Sequence, residues 1–207
     1  MAKNVARLRA LVFSAAFAAF SGAVAFGWLY GVDLWVLWAA QDHSSGLLDA
    51  AASVFSLPGR AEIAGLVLLA LLVRLILRGR RTLAGRLLVT FVAMGLVELA
   101  MKLYLPQAPV PEEAGRAADY APLFAIDLPH PYPSGHVIRG VIVLGALRLL
   151  SKTRLLRAVI TFALVGLMTS RIYLGTHWAP DVVGGALLGV TAVLWAFGKE
   201  DREWRSR

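Results

Sequence analysis

The chain contains no cysteine, which excludes disulfides, thiolate metal sites and cysteine nucleophiles in any compartment. Charge is also sparse, at 16% of residues, and one sign is scarcer still: 13 Asp and Glu face 21 Lys and Arg. The net charge of +8 raises nucleic acid as a partner. However, the basic residues lie in short blocks between apolar runs, with no basic face interleaved with aromatics, so none is expected. What the chain has in abundance is apolar sequence. It is 58% hydrophobic with a mean hydropathy of +0.68, beyond what a soluble domain needs and fitting several membrane spans.

Those runs predict an all-α, polytopic integral membrane protein: one domain over 1–207 with six transmembrane helices and no soluble domain. The spans fall at about 10–32, 61–78, 87–105, 136–151, 155–173 and 180–198, with outer loops at about 33–60 and 106–135. Lys3, Arg7 and Arg9, an apolar run and then Ala23-Val24-Ala25 have the outline of a cleaved signal peptide. The charge-free stretch from Ala10 to Val32 is long enough to cross a bilayer, which favours a retained first span. Between Asp33 and Arg60 the mixture of apolar and acidic residues predicts a short amphipathic element in the interface, with Trp35 and Trp38 at headgroup level; a plain loop is the alternative. The prolines at 106, 109, 111, 122, 129, 131 and 133 predict an irregular, stiff loop. Gly185 and Gly189 offer a small-residue face for close helix packing. A polar tail, Lys199–Arg207, closes the chain.

Of the 21 Lys and Arg, 16 fall on the N-terminal side of the predicted spans; Arg60, Lys102, Arg116, Arg139 and Arg171 fall on the other. The positive-inside rule then makes both termini cytoplasmic. The clusters at 78–86 and 148–157 become cytoplasmic turns that touch anionic headgroups. Lys102, the turn Pro133-Ser134-Gly135-His136, Arg171, His177 and Asp181 share the outer face.

Their chemistry is that of an anion site. Gly135 allows close backbone approach and Ser134 supplies a hydroxyl where a helix begins, a place whose N–H groups and dipole favour a phosphate. Arg171 offers a bidentate fork and Lys102 a point charge. Glu98 and Lys102, four apart on one face, read as a packing ion pair for the first and a site role for the second. His177 and Asp181 are also four apart, so the carboxylate can fix the imidazole tautomer and leave the other nitrogen as nucleophile or base. His136 would be the acid that protonates a departing oxygen.

Ser-Arg-x5-His-x3-Asp at 170–181, with Pro-Ser-Gly-His at 133–136 upstream, resembles the type-2 phosphatidic acid phosphatase superfamily, across nearly the whole chain. The resemblance implies that His177 forms a phosphohistidine, Asp181 orients it and His136 is the acid. It further implies that Ser134, Gly135, Arg171 and Lys102 bind phosphate, with no metal or other cofactor. One departure stands out: the family's Lys-x6-Arg-Pro motif, counted from Lys102, meets Pro109 where arginine belongs. Arg139, three residues beyond His136, is the preferred replacement; Arg116, a site with one cation fewer, and a snorkelling role for Arg139 are the alternatives.

The expected activity is hydrolysis of a lipid phosphate or pyrophosphate (polyprenyl pyrophosphate such as undecaprenyl pyrophosphate, phosphatidic acid or phosphatidylglycerol phosphate) at the outer membrane face. Membrane lipids and the lipid phosphate are the expected partners, with no obligatory protein partner. The rivals are lipid phosphotransfer through the same phosphohistidine and a lipid-phosphate transporter without chemistry. A zinc site from His130, His136, His177 and Asp181 matches no zinc spacing. His130 reads as a solvated loop residue, His43 has no evident partner, and Tyr104, Tyr173 and Trp178 read as outer aromatic-belt residues.

Overall fold

The computed structural model describes residues 2–116 and 128–198, with side chains from residue 8 onward. The tail over 199–207, Pro122 and the side chains of Lys3 and Arg7 lie outside the described residues. Within them, every regular element is helical: α1 (Ala2–Ala25), α2 (Tyr30–Gln41), α3 (Gly46–Ser56), α4 (Ala61–Leu77), α5 (Arg81–Tyr104), α6 (Gly135–Leu150), α7 (Arg154–Tyr173) and α8 (Ala179–Phe197), with single 3-10 turns at Leu57–Gly59 and Glu112–Ala114.

Local chemistry sets the ends. Ser45 and Thr153 cap α3 and α7, their hydroxyls accepting from the N–H groups of Leu48 and Leu156 at 3.3 Å. The first apolar run does not continue as helix to Val32. Its helix stops at Ala25 because Gly27 takes φ +70°, a conformation that breaks the α-helical ladder and starts a separate helix, α2. The predicted interface element between Asp33 and Arg60 is thus two helices, α2 and α3, rather than one. Trp35 is 72% exposed on α2.

The segments Leu8–Ala25, Arg81–Tyr104, Arg154–Tyr173 and Ala179–Phe197 are each long and apolar enough to cross a membrane. The outward faces of α4, α5 and α7 carry exposed Leu66, Leu69, Leu88, Leu96, Val159 and Phe162. An apolar exterior of this kind suits a lipid surround.

Helix α8 is the centre, packed against α1, α5 and α6. In lipid, helices associate through close packing rather than hydrophobic exclusion, and α8 achieves it with glycine. A β-carbon at Gly185 would lie 2.7 Å from the Ser134 carbonyl oxygen, and one at Gly189 2.7 Å from Val141 Cβ. The small-residue face predicted from sequence is therefore the α6 contact. Below it, Leu68, Leu75, Leu83, Leu87, Val143, Ala146 and Ala196 close one end of the bundle; Phe17, Tyr132, Ile138, Ile142 and Leu188 fill the space towards the other. The polar residues of the sequence motifs collect at that second end.

Candidate active site

Three pieces of chain converge there. After α7, the chain wraps around the carbonyl of Arg171, which accepts from the backbone N–H groups of Thr176 at 3.3 Å and His177 at 3.2 Å and from the Thr176 hydroxyl at 3.0 Å. Gly175 makes the wrap feasible, with φ +65° and the Ala114 carbonyl pressed against its α-carbon. His177 is thereby placed before α8, and Asp181 sits in the first turn of α8. Asp181 Oδ2 accepts from the Trp178 backbone N–H at 3.0 Å and lies 3.1 Å from His177 Nδ1. The pair therefore bridges a helix cap rather than spanning a helical turn, because the carboxylate doubles as the cap.

Asp181 is fully buried and His177 nearly so. Burial pushes the His177 pKa well below its ordinary 6.5, and the positive charges of Lys102, Arg171 and Arg139 push it further the same way. That favours the neutral imidazole, and a neutral ring that donates Nδ1–H to Asp181 leaves Nε2 with its lone pair.

The second piece is the Pro133–His136 turn. Ser134 stands at the N-cap position of α6 without a side-chain cap bond and donates its backbone N–H to the Asp181 carbonyl at 2.9 Å, so the two sequence motifs are joined by a main-chain bond. Ser134 Oγ is buried and has no hydrogen-bond partner among the described residues. Tyr132 underlies the turn, buried against Gly184, with its hydroxyl 2.8 Å from Ser21 Oγ of α1. His136 follows in α6, with the cations Arg171, Arg139 and Lys102 acting on it.

The third piece is the end of α5. Glu98 pairs with Lys102 at 3.5 Å and with Arg139 of α6 at 3.1 Å, which ties α5 to α6. Arg139 also donates Nε–H to the Gly59 carbonyl at 3.1 Å, so it points into the bundle rather than snorkelling outward. Arg171 is 3% exposed and donates to Ser56 Oγ of α3 at 2.5 Å.

Several residues differ from the sequence reading. Arg116 is committed elsewhere: it is ion-paired with Asp49 and stacked over the Tyr173 ring at 5.3 Å. Tyr173 donates its hydroxyl to Asp49 at 2.7 Å and is no belt residue. Neither is Trp178, which is 1% exposed and donates its indole N–H to the Ala108 carbonyl at 2.8 Å. Tyr104, by contrast, is exposed. His130 is within hydrogen-bonding distance of the Gln107 backbone, and His43 meets Asp42 at the surface. Among the described residues no three His, Asp or Glu side chains gather as metal ligands would.

Gln107 escaped the sequence reading. Its Nε2 donates to Asp181 Oδ1 at 2.8 Å, yet one polar residue in a proline-rich loop carries no periodicity. Behind it lies a cleft of about 540 Å³ between the end of α1, α2 and the 106–108 segment, lined by Tyr30, Asp33, Gln107, His130 and Trp178 among others. Burial, and then the charge of Asp181, push the Asp33 pKa up from 3.8 to about 6.

An apolar helical bundle that holds a buried His–Asp pair beside three cations and the start of α6 has the character of a membrane-embedded protein with a polar site at one end. The PAP2 superfamily model matches residues 84–205, more than half of the sequence, and the chain belongs to that superfamily. Among solved structures it is similar to a transmembrane PAP2 type phosphatidylglycerolphosphate phosphatase from Bacillus subtilis, with a TM-score of 0.70 and 22% identity over 96% of this chain and 99% of that one. LpxE from Aquifex aeolicus is also similar, with a TM-score of 0.59 and 20% identity over 79% of this chain and 93% of that one. No curated protein sequence matches the chain.

Proposed function

We propose that this protein is a metal-independent membrane phosphatase that removes phosphate from a lipid phosphate or pyrophosphate through a phosphohistidine on His177. The observation that carries the reading is the buried His177–Asp181 pair, 3.1 Å apart, with Lys102, Arg171 and Arg139 as the cations around it. The cations bind the phosphate oxygens, with Ser134 Oγ and the N–H groups at the start of α6 completing the cradle. Arg139 supplies the guanidinium that the sequence lacks at Pro109.

In the first step Nε2 of His177 attacks phosphorus as the bond to the lipid oxygen breaks. The leaving oxygen takes a proton from His136, and Asp181 balances the cationic phosphohistidine. In the second step water, deprotonated by His136, attacks the phosphohistidine. This frees His177 and releases inorganic phosphate.

Six helices cross the bilayer, α4 and α6 being the shorter spans; both termini are cytoplasmic, and the site faces outward. The lipid enters sideways between helices. Polyprenyl pyrophosphate, phosphatidic acid and phosphatidylglycerol phosphate are the candidate substrates, the last being the one for which the similar Bacillus subtilis phosphatase is named.

The test is phosphate release from a panel of lipid phosphates in detergent, by wild type and His177→Ala, with EDTA present. Release by wild type alone is the expected result, and the panel names the substrate. Transfer of phosphate to an acceptor hydroxyl, or lipid movement without release, would replace hydrolysis with phosphotransfer or transport.

A further inference from the structure

Glu98 stands where the phosphate belongs, and no step of the mechanism uses it. Its carboxylate is shared between Lys102 Nζ at 3.5 Å and Arg139 Nη1 at 3.1 Å, and its side chain is 14% exposed. The same group rests on the α-carbon of Gly135, the first residue of α6: a β-carbon built there would fall 2.7 Å from Oε2 and closer still to Oε1. One carboxylate therefore touches two cations and the helix start together. Those are three of the elements assigned above to substrate phosphate. An ion pair that merely joined α5 to α6 would have no need to reach the glycine of a helix N-terminus. A carboxylate also presents two oxygens to a cation much as one edge of a phosphate does.

We propose that Glu98 is the resident anion of the cradle, an internal competitor that holds Lys102 and Arg139 in the empty site and yields them when a phosphate oxyanion enters. The inference rests on the phosphate reading of the cradle. Its consequence is weaker retention of phosphate, whether carried by a lipid or released as product, so that Glu98 sets KM and hastens product release.

Glu98→Gln keeps the shape and an acceptor for Arg139 while removing the charge. Calorimetric titration of the full-length, detergent-solubilised protein with inorganic phosphate should show binding tightened by about tenfold or more, a size ordinary for coupled sites. In a second arm KM for dioctanoyl phosphatidic acid should fall in parallel; tighter inorganic phosphate with KM unchanged also supports the proposal and places the competition at product release. Weaker or unchanged phosphate affinity in the folded variant overturns it. Should the variant not fold, infrared difference spectra of wild type carrying 13C-glutamate decide: a glutamate carboxylate band that shifts on phosphate addition supports displacement, and none that shifts overturns it. Wild type that binds phosphate but releases none from any lipid would refute the phosphatase reading and leave the Glu98 proposal standing. If neither wild type nor Glu98→Gln binds phosphate, the Glu98 proposal is overturned, while phosphate release from the lipid panel decides the phosphatase reading separately.

Discussion

Asp181 carries two duties with one side chain, and Gln107 is the residue whose removal should expose them. Oδ2 of Asp181 takes the Trp178 N–H at 3.0 Å and faces His177 Nδ1 at 3.1 Å, while Oδ1 takes Gln107 Nε2 at 2.8 Å. The carboxylate is fully buried, so no bulk water replaces a lost donor. Gln107→Leu keeps similar bulk and deletes that donor; a hydrogen bond to a charged group contributes about 1.5–3 kcal/mol. The loss should be felt most when His177 becomes cationic as phosphohistidine, because the carboxylate must then stay ionised and aligned. At about 1.4 kcal/mol per decade, kcat should fall by about ten- to hundredfold. KM should move by less than about threefold, since Gln107 has no bond to the phosphate cradle. The assay is phosphate release from dioctanoyl phosphatidic acid, with kcat and KM separated and helix content checked by circular dichroism. A folded variant with kcat near wild type, or with its defect wholly in KM, would refute Gln107 as a positioning residue. Gln107→Glu adds the opposite control: a carboxylate beside Asp181 should lower kcat at neutral pH and recover part of it towards acid, as the new group protonates.

Asp33→Asn should stabilise the protein at pH 7.5 by up to about 3 kcal/mol, the equivalent of the shift from 3.8 to about 6. In the wild type the stability tied to the Asp33 proton is fully present below pH 3.8 and is lost as pH rises through about 6. The variant's melting advantage should therefore vanish below pH 4, and a pH-independent difference would contradict the assignment. Gly185→Ala places a β-carbon 2.7 Å from the Ser134 carbonyl. It should cost about 1–3 kcal/mol as overpacking and lower kcat by pushing the Pro-Ser-Gly-His turn off α8; an unchanged melting temperature would show that α6 and α8 separate freely. Arg139→Gln should raise KM by about tenfold or more through loss of a charged partner for phosphate, whereas Arg116→Ala should leave KM unchanged because Arg116 is held by Asp49. The reverse pattern would make Arg116 the replacement for the missing motif arginine.

Sequence by itself determined the helical, membrane-suited character of the chain, because apolar run length is a local property that survives any packing arrangement. It placed the ends of α4 and α8 to within a residue or two, and it identified Gly185 and Gly189 as a packing face. It also named the residues that now meet: His177 with Asp181, and Lys102 with Glu98, pairs four positions apart whose encounter needs only local geometry. Where a pairing depends on another segment, sequence was silent or wrong. Trp178 and Tyr173 read as belt residues because aromatics near a span end usually face headgroups, and only the fold brought Ala108 and Asp49 to them. The end of α1 was missed because Gly27 takes its positive φ in a stretch whose hydropathy never falters. Gln107 reaches Asp181 across 74 residues, Arg139 reaches Glu98 across 41 and Arg171 reaches Ser56 across 115. No periodicity records such encounters. They follow from how α8 seats against α1, α5 and α6, which is decided by the simultaneous packing of all four helices.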